Sequence, residues 1–219
     1  MKRYTILTFV IIEAALYIVF MTMDLLPYSG STIIIKYIGI LLCLLFSVLC
    51  AFRGGERLIP IALIFTAIAD IFLLVIDNYY TVGILFFLVV QSIYLFYLFK
   101  ETGKIWIPVR IVCLILAVLI LWLTGLFNGQ NLVAGIYFSM ILVNMVMSWT
   151  YGKNVPRLFA LGLTLFVCCD ICVGLYNLYW LLPDGLYAFT RIGMWMFYLP
   201  SQVLIALSMI KGKRQDERE

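Results

Sequence analysis

An all-α, polytopic bundle of eight membrane-spanning helices is the fold class this sequence predicts, and three observations lead there. The 219-residue chain is 65% hydrophobic and 12% charged, with a mean hydropathy of +1.12. A soluble domain carries about 25% charged residues, so this chain has too little polar surface to face water. Its apolar runs are each about 20 residues long, the length that crosses a hydrocarbon core of ~30 Å. The basic residues between those runs fall almost entirely on one side. Together these exclude a soluble enzyme, a nucleic-acid module and a disordered regulator. A transmembrane barrel would show segments of about 10 residues with alternating polarity. Those are missing, and an open sheet edge in lipid would leave backbone groups unsatisfied.

Charges and turn residues set the order of the spans. Span 1 runs from about Thr5 to Leu25 and is followed by Pro27-Tyr28-Ser29-Gly30-Ser31. Met1-Lys2-Arg3 before an apolar run resembles a signal peptide, but Glu13 interrupts the run and no small-residue cleavage pattern follows, so it is read as the first helix. Span 2 covers about Ile33 to Ala51 and stops at Arg53-Gly54-Gly55-Glu56-Arg57. Span 3, about Leu58 to Ile76, ends at Asp77-Asn78, and span 4, about Thr81 to Phe99, ends at Lys100-Glu101-Thr102-Gly103-Lys104. Span 5 extends from about Ile105 to Thr124. The cluster Gly125-Leu126-Phe127-Asn128-Gly129-Gln130-Asn131 separates it from span 6, about Leu132 to Thr150. Span 7 is about Leu158 to Trp180, followed by Pro183-Asp184-Gly185, and span 8 is about Arg191 to Ile210. Residues 1–210 thus form one transmembrane domain, and 211–219 a polar cytoplasmic tail.

With eight spans and a cytoplasmic N-terminus, the C-terminus is cytoplasmic too. That side holds Lys2, Arg3, Arg53, Arg57, Lys100, Lys104, Arg110, Lys153, Arg157, Lys211, Lys213, Arg214 and Arg218, which is 13 of the 15 basic residues. Losing one span would scramble the sides, so the positive-inside rule supports the span count as well as the orientation. The net charge of +4 is therefore topology. A bacterial plasma (inner) membrane is the expected location.

Glu13, Asp70 and Asp170 lie within spans, in the middle third of the membrane. An acid at the bilayer centre costs roughly 2.5–3.5 kcal/mol on insertion scales, so each needs a partner, a wet cavity or a proton. Asp70 and Asp170 sit in similar settings, Ala69-Asp70-Ile71-Phe72 and Cys169-Asp170-Ile171-Cys172. Asp77 and Asn177 each follow seven residues later, on the same face of a regular helix. This would make the two four-helix halves a worn 4+4 parallel repeat. Polar residues on the even spans complete a candidate site: Gln91 and Tyr94, Tyr137 and Asn144, and the stripe Arg191, Trp195, Tyr198 and Gln202. Interhelical hydrogen bonding explains any one of these singly, but not why they share the depth of the acids. The chain has no histidine, which removes zinc-hydrolase and Ser-His-Asp chemistry. Cys168-Cys169-Asp170-Ile171-Cys172 contains a C-x-x-C with no second pair for a metal, and is read as small residues at a helix contact.

In these residues the chain resembles the lysoplasmalogenase-like (YhhN-like) membrane family, whose members have eight spans in about this length. The family's Gly-Asp in span 3 corresponds to Ala69-Asp70, and its Ser-Asp in span 7 to Cys169-Asp170. Its span-4 His-x-x-Tyr corresponds to Gln91-Ser92-Ile93-Tyr94. Its span-8 Tyr-x-x-x-Gln-x-Leu-Ile corresponds to Tyr198-Leu199-Pro200-Ser201-Gln202-Val203-Leu204-Ile205. Lys36-Tyr37 stands where the family has Lys-Pro. Gln91 departs from the family's His, and an amide cannot exchange protons as imidazole does. Gln91 is therefore expected to orient Asp70 or a water.

The resemblance implies hydrolysis of the vinyl ether bond of a lysoplasmalogen to a fatty aldehyde and a glycerophospho-base, with Asp70 and Asp170 as the catalytic pair. It implies no metal and no organic cofactor. A vinyl ether is protonated at carbon and water then attacks the oxocarbenium ion, so one acid must hold a proton, and removal from water favours a neutral carboxyl. A second carboxylate handles the cation and the water, as in glycosidases. Lys36 and Arg191 break the positive-inside pattern at the outer interface, where a lysophospholipid carries its phosphate, and are read as a phosphate clamp. The runner-up is a non-enzymatic lipid-binding or small-solute transport protein using the same acids as proton or ligand sites. A partner-binding structural subunit is the third reading.

Overall fold

The computed structural model describes residues 3–26 and 30–210, so the tail 211–219 and Pro27-Tyr28-Ser29 of the first turn lie outside the described residues. Eight α-helices follow one another: α1 (Arg3–Leu25), α2 (Ile33–Ala51), α3 (Leu58–Asp70), α4 (Tyr80–Thr102), α5 (Ile107–Leu123), α6 (Gly129–Thr150), α7 (Arg157–Tyr176) and α8 (Asp184–Leu207). Six of the apolar segments, those of α1 to α4, α6 and α7, are long and apolar enough to cross a membrane. Helix α5 has 17 residues, and α8 has 24 but carries Asp184 and Arg191. Outward faces such as Leu7, Ile11 and Ile18 on α1 are more than half exposed, as suits a surface covered by lipid.

Local chemistry marks the starts of two helices. Asn128 caps α6 by accepting the Asn131 amide at 2.9 Å, which satisfies one of the orphan donors of the first turn. Pro108 sits in the first turn of α5, where a missing N–H costs nothing. Two boundaries differ from the sequence reading by a turn or more. Helix α7 stops at Tyr176 and a 3-10 turn, Tyr179–Leu181, replaces its expected last turn. Helix α8 starts at Asp184, two turns earlier than expected. Pro183 and Asp184 look like breakers, but proline just before a helix and an acid in its first turn both favour initiation. Arg191 therefore lies two turns inside α8, not in its first turn.

Asp70 closes α3, and a π-helical turn, Ile71–Val75, continues the span. The Ile76 amide reaches back five residues to the Ile71 carbonyl at 2.8 Å. The 3.6-residue period ends there, and Asp77 lies beyond the helix with φ +52. The seven-residue spacing thus does not carry Asp77 onto the face of Asp70, and Asn177 likewise lies one residue beyond α7. Leu73 bulges from the π turn toward α4, where a Cβ at Gly83 would stand 2.5 Å from its Cγ.

Helices α7 and α8 pack most closely, α4 lies between α3 and α6, and α2 faces α1, α3 and α8. Close approach of α7 to α8 depends on Gly162, whose added Cβ would meet Ser201 O at 3.0 Å and Ile205 N at 3.1 Å. Helix α5 packs on α6 at the rim and has no buried residue. Pro200 lies inside α8 and cannot donate to the Met196 carbonyl. The Tyr17 hydroxyl from α1 donates to that carbonyl at 3.2 Å, so α1 is fastened where α8 is weakened.

Candidate functional site

Asp70 is 4% exposed at the end of α3. From α8, the Tyr198 hydroxyl donates to both of its carboxylate oxygens, at 2.9 and 2.8 Å. Asp170 on α7 is half-buried and accepts the Tyr137 hydroxyl from α6 at 2.7 Å. The two tyrosines meet in one aromatic cluster. The Phe87 ring lies 5.8 Å from that of Tyr137 and 6.3 Å from that of Tyr198, and Phe166 lies 5.5 Å from both Phe87 and Tyr198. The Cys169 thiol is within electrostatic range of both carboxyl groups. The acids therefore share one neighbourhood. Their tyrosine partners come from α8 and α6, which are not equivalent positions in a 4+4 repeat.

Toward the start of α2, Lys36 is 7% exposed and pairs with Asp24 of α1 at 2.7 Å. The Thr32 hydroxyl also donates to Asp24, at 2.7 Å. The Lys36 ammonium stands 4.8 Å from the Trp195 ring centre and 5.6 Å from that of Phe20, a cation–π arrangement on two rings. Trp195 in turn packs edge-on against Tyr198 at 5.3 Å. One line of side chains thus runs from Lys36 through Trp195 and Tyr198 to Asp70. Arg191 is exposed and forms no ion pair with Asp184 among the described residues.

A second polar chain makes no direct hydrogen bond to either carboxylate. The Asn144 amide donates to the side-chain and backbone oxygens of Gln91, both at 3.0 Å, and its own oxygen accepts from Arg110 at 2.7 Å. Arg110 also donates to the Ile105 carbonyl at 2.7 Å. Gln91 is therefore held by Asn144 and makes no hydrogen bond to Asp70, so of the two roles expected from sequence, orienting Asp70 or a water, the structure does not show the first. Tyr94 is fully buried with its ring edge-on to Phe159 at 5.3 Å. Gln202 is fully buried and donates to the Ser201 hydroxyl at 3.1 Å.

A model of the YhhN family matches residues 31–209 of the chain. The chain belongs to the YhhN family. The matched part of this YhhN protein contains both aspartates and both tyrosines, while α1, with Glu13 and Asp24, lies outside it. No curated protein and no solved structure matches the chain.

Cys43, Cys113, Cys168, Cys169 and Cys172 of this YhhN protein are free thiols, and Cys172 packs where α7 meets α8, its Sγ 2.8 Å from the place a Gly193 Cβ would take. No group of three metal-ligating side chains occurs among the described residues. A cavity of about 240 Å³ between α5 and α6 is lined by Arg110, Ile111, Leu114, Ile136, Ser139 and Met140, and neither aspartate is in its wall. Sequence reasoning missed Asp24 and Arg110. Asp24 ends span 1 on the side where Lys36 begins span 2, which was the available signal. Arg110 served only as a marker of sidedness, although it reaches Asn144.

Proposed function

We propose that this YhhN protein is an integral membrane hydrolase that cleaves the vinyl ether bond of a lysoplasmalogen. The observation that supports this best is the pair of tyrosine-bonded aspartates gathered around one aromatic cluster. One aspartate gives its proton to the β-carbon of the vinyl ether, and the double bond becomes an oxocarbenium ion. Water adds to the cationic carbon and loses a proton to the other carboxylate. The resulting hemiacetal collapses: its hydroxyl proton passes to the first aspartate, the bond from the former vinyl carbon to the glycerol oxygen breaks, and the second carboxyl protonates that oxygen, which restores both acids. One water is consumed per aldehyde and glycerophospho-base released, and no proton is gained or lost overall. The tyrosine hydroxyls orient the two carboxyl groups, and the bond to the ionised one is charge-assisted. In this reading all eight helices cross a bacterial plasma membrane and both termini are cytoplasmic. The 17 residues of α5 are at the short end of what can span. Purified protein incubated with lysoplasmalogen should release aldehyde, and an absence of aldehyde would refute the assignment.

The line from Lys36 to Asp70 follows the order of groups in the substrate, with a phosphate at headgroup level and the ether bond a few atoms deeper. Lys36 takes the phosphate in exchange for Asp24, and Arg191 assists from the exposed side. Lys36→Ala and Arg191→Ala are expected to weaken a phosphate-bearing lysolipid about tenfold more than a neutral monoalkenyl glycerol, measured by competition binding. Equal losses for the two ligands would refute the clamp.

Gln91→His is expected to raise turnover. One ring nitrogen can still accept from Asn144, while the other supplies a titratable proton that the amide lacks. An unchanged rate would mean that the amide serves as well as imidazole in this chain.

A further inference from the structure

Among the described residues, six buried side-chain atoms have no hydrogen-bond partner; Arg110 Nη1, between α5 and α6, stands apart, and the remaining five lie inside the bundle: Glu13 Oε2, Thr66 Oγ1, Gln91 Nε2, Tyr94 Oη and Gln202 Oε1. Glu13 is 3% exposed and the other four side chains are 0% exposed. Unpaired groups this deep are uncommon in native interiors, and each costs free energy unless water serves it.

Their placement is not scattered. Thr66 lies four residues before Asp70 on α3, and Gln202 four residues after Tyr198 on α8. Lys36 meets Trp195, Gly39 meets Leu199 and Gly55 meets Met209, so α2 and α8 run in parallel, and α3 returns antiparallel to both. Thr66 and Gln202 therefore both stand one turn, about 6 Å, to the same side of the Asp70–Tyr198 hydrogen bond. Tyr94 lies within electrostatic range of Cys43, whose thiol donates to Glu13 Oε1 at 3.5 Å. Tyr94 is likewise within range of Tyr137, the partner of Asp170. Gln91 is one turn from Tyr94 on α4. The set is also chemically matched. The Gln91 amide and the Thr66 and Tyr94 hydroxyls can donate, while Gln202 Oε1 and the Glu13 carboxyl can accept. Matched groups that do not touch are what bridging water connects.

We infer that these five groups hold a buried layer of ordered water beside Asp70, on the side of Thr66 and Gln202, and that the hydrolytic water comes from it. The supply role rests on the reaction proposed above and makes Asp70 the carboxylate that takes the water's proton, leaving Asp170 to protonate the substrate. The presence of the layer does not depend on that reaction.

Millisecond hydroxyl-radical footprinting of the wild-type protein in lipid nanodiscs tests the layer directly, because bound water generates radicals in place. Tyr94 is expected to be oxidised nearly as fast as exposed Tyr79, while the equally buried Phe20 stays protected. Tyr94 protected like Phe20 would overturn the layer. In the Thr66→Val/Gln202→Leu double variant, Tyr94 oxidation should fall severalfold; undiminished oxidation would overturn the assignment of these groups. The same variant should lose about tenfold in kcat with KM unchanged. An unchanged kcat alongside a lost footprint would overturn the supply role. A wild-type protein that is footprinted at Tyr94 but releases no aldehyde would refute the proposed reaction and leave the layer standing.

Discussion

Asp70→Asn and Asp170→Asn are each expected to abolish aldehyde release, with a loss of roughly a thousandfold or more, since both roles need a carboxyl that gives or takes a proton. Folding should survive. The asparagine Oδ1 still accepts the hydroxyl that the aspartate accepted, from Tyr198 in one case and Tyr137 in the other. Melting temperatures in detergent should therefore stay close to the parent value while turnover vanishes. Measurable activity in both variants would reject a two-carboxylate mechanism. A collapse of melting temperature in step with activity would show that the acids serve the fold.

Gly162→Ala should be the most damaging small change to stability on α7. Alanine is ordinarily favoured over glycine inside a helix by about 1 kcal/mol. Here the added methyl meets Ser201 O at 3.0 Å, Ile205 N at 3.1 Å and Ile205 Cγ1 at 2.7 Å. Two of those atoms are backbone and cannot rotate away, so α7 and α8 must separate. The expected net loss is about 1–3 kcal/mol. Gly174 on the same helix is the control, because a Cβ there meets nothing within 4 Å. Gly174→Ala should be neutral or stabilising. Urea or thermal unfolding of the two variants side by side checks the contrast, and equal behaviour would refute the close-approach account.

The eight helices were legible because length, turn residues and charge all punctuate the chain at the same places. Asp70, Asp170 and the Tyr198 stripe were legible because polar groups are conspicuous in spans that are otherwise apolar. Which helix faces which was not. In water an amphipathic stripe announces the buried side, but here lipid-facing Ile11 and buried Phe9 on α1 are both apolar. Rotation about each helix axis is thus nearly silent in the sequence. That is why Asp24 was not matched to Lys36, and why the hydrogen bond from Asn144 to Gln91 was not foreseen. The π turn was hidden for another reason. Ile71-Phe72-Leu73-Leu74-Val75 contains no glycine or proline to mark a change in backbone hydrogen bonding.

That wide turn also has a consequence for inheritance. A π turn fits one residue more than an α-helix needs for the same height, so it is what a single-residue insertion leaves behind when both flanks keep their packing. The extra width is taken up by Leu73, and Leu73 is accommodated only because Gly83 has no side chain. The two positions, ten residues apart and on different helices, are therefore coupled: the size of the residue at either one limits what the other can carry.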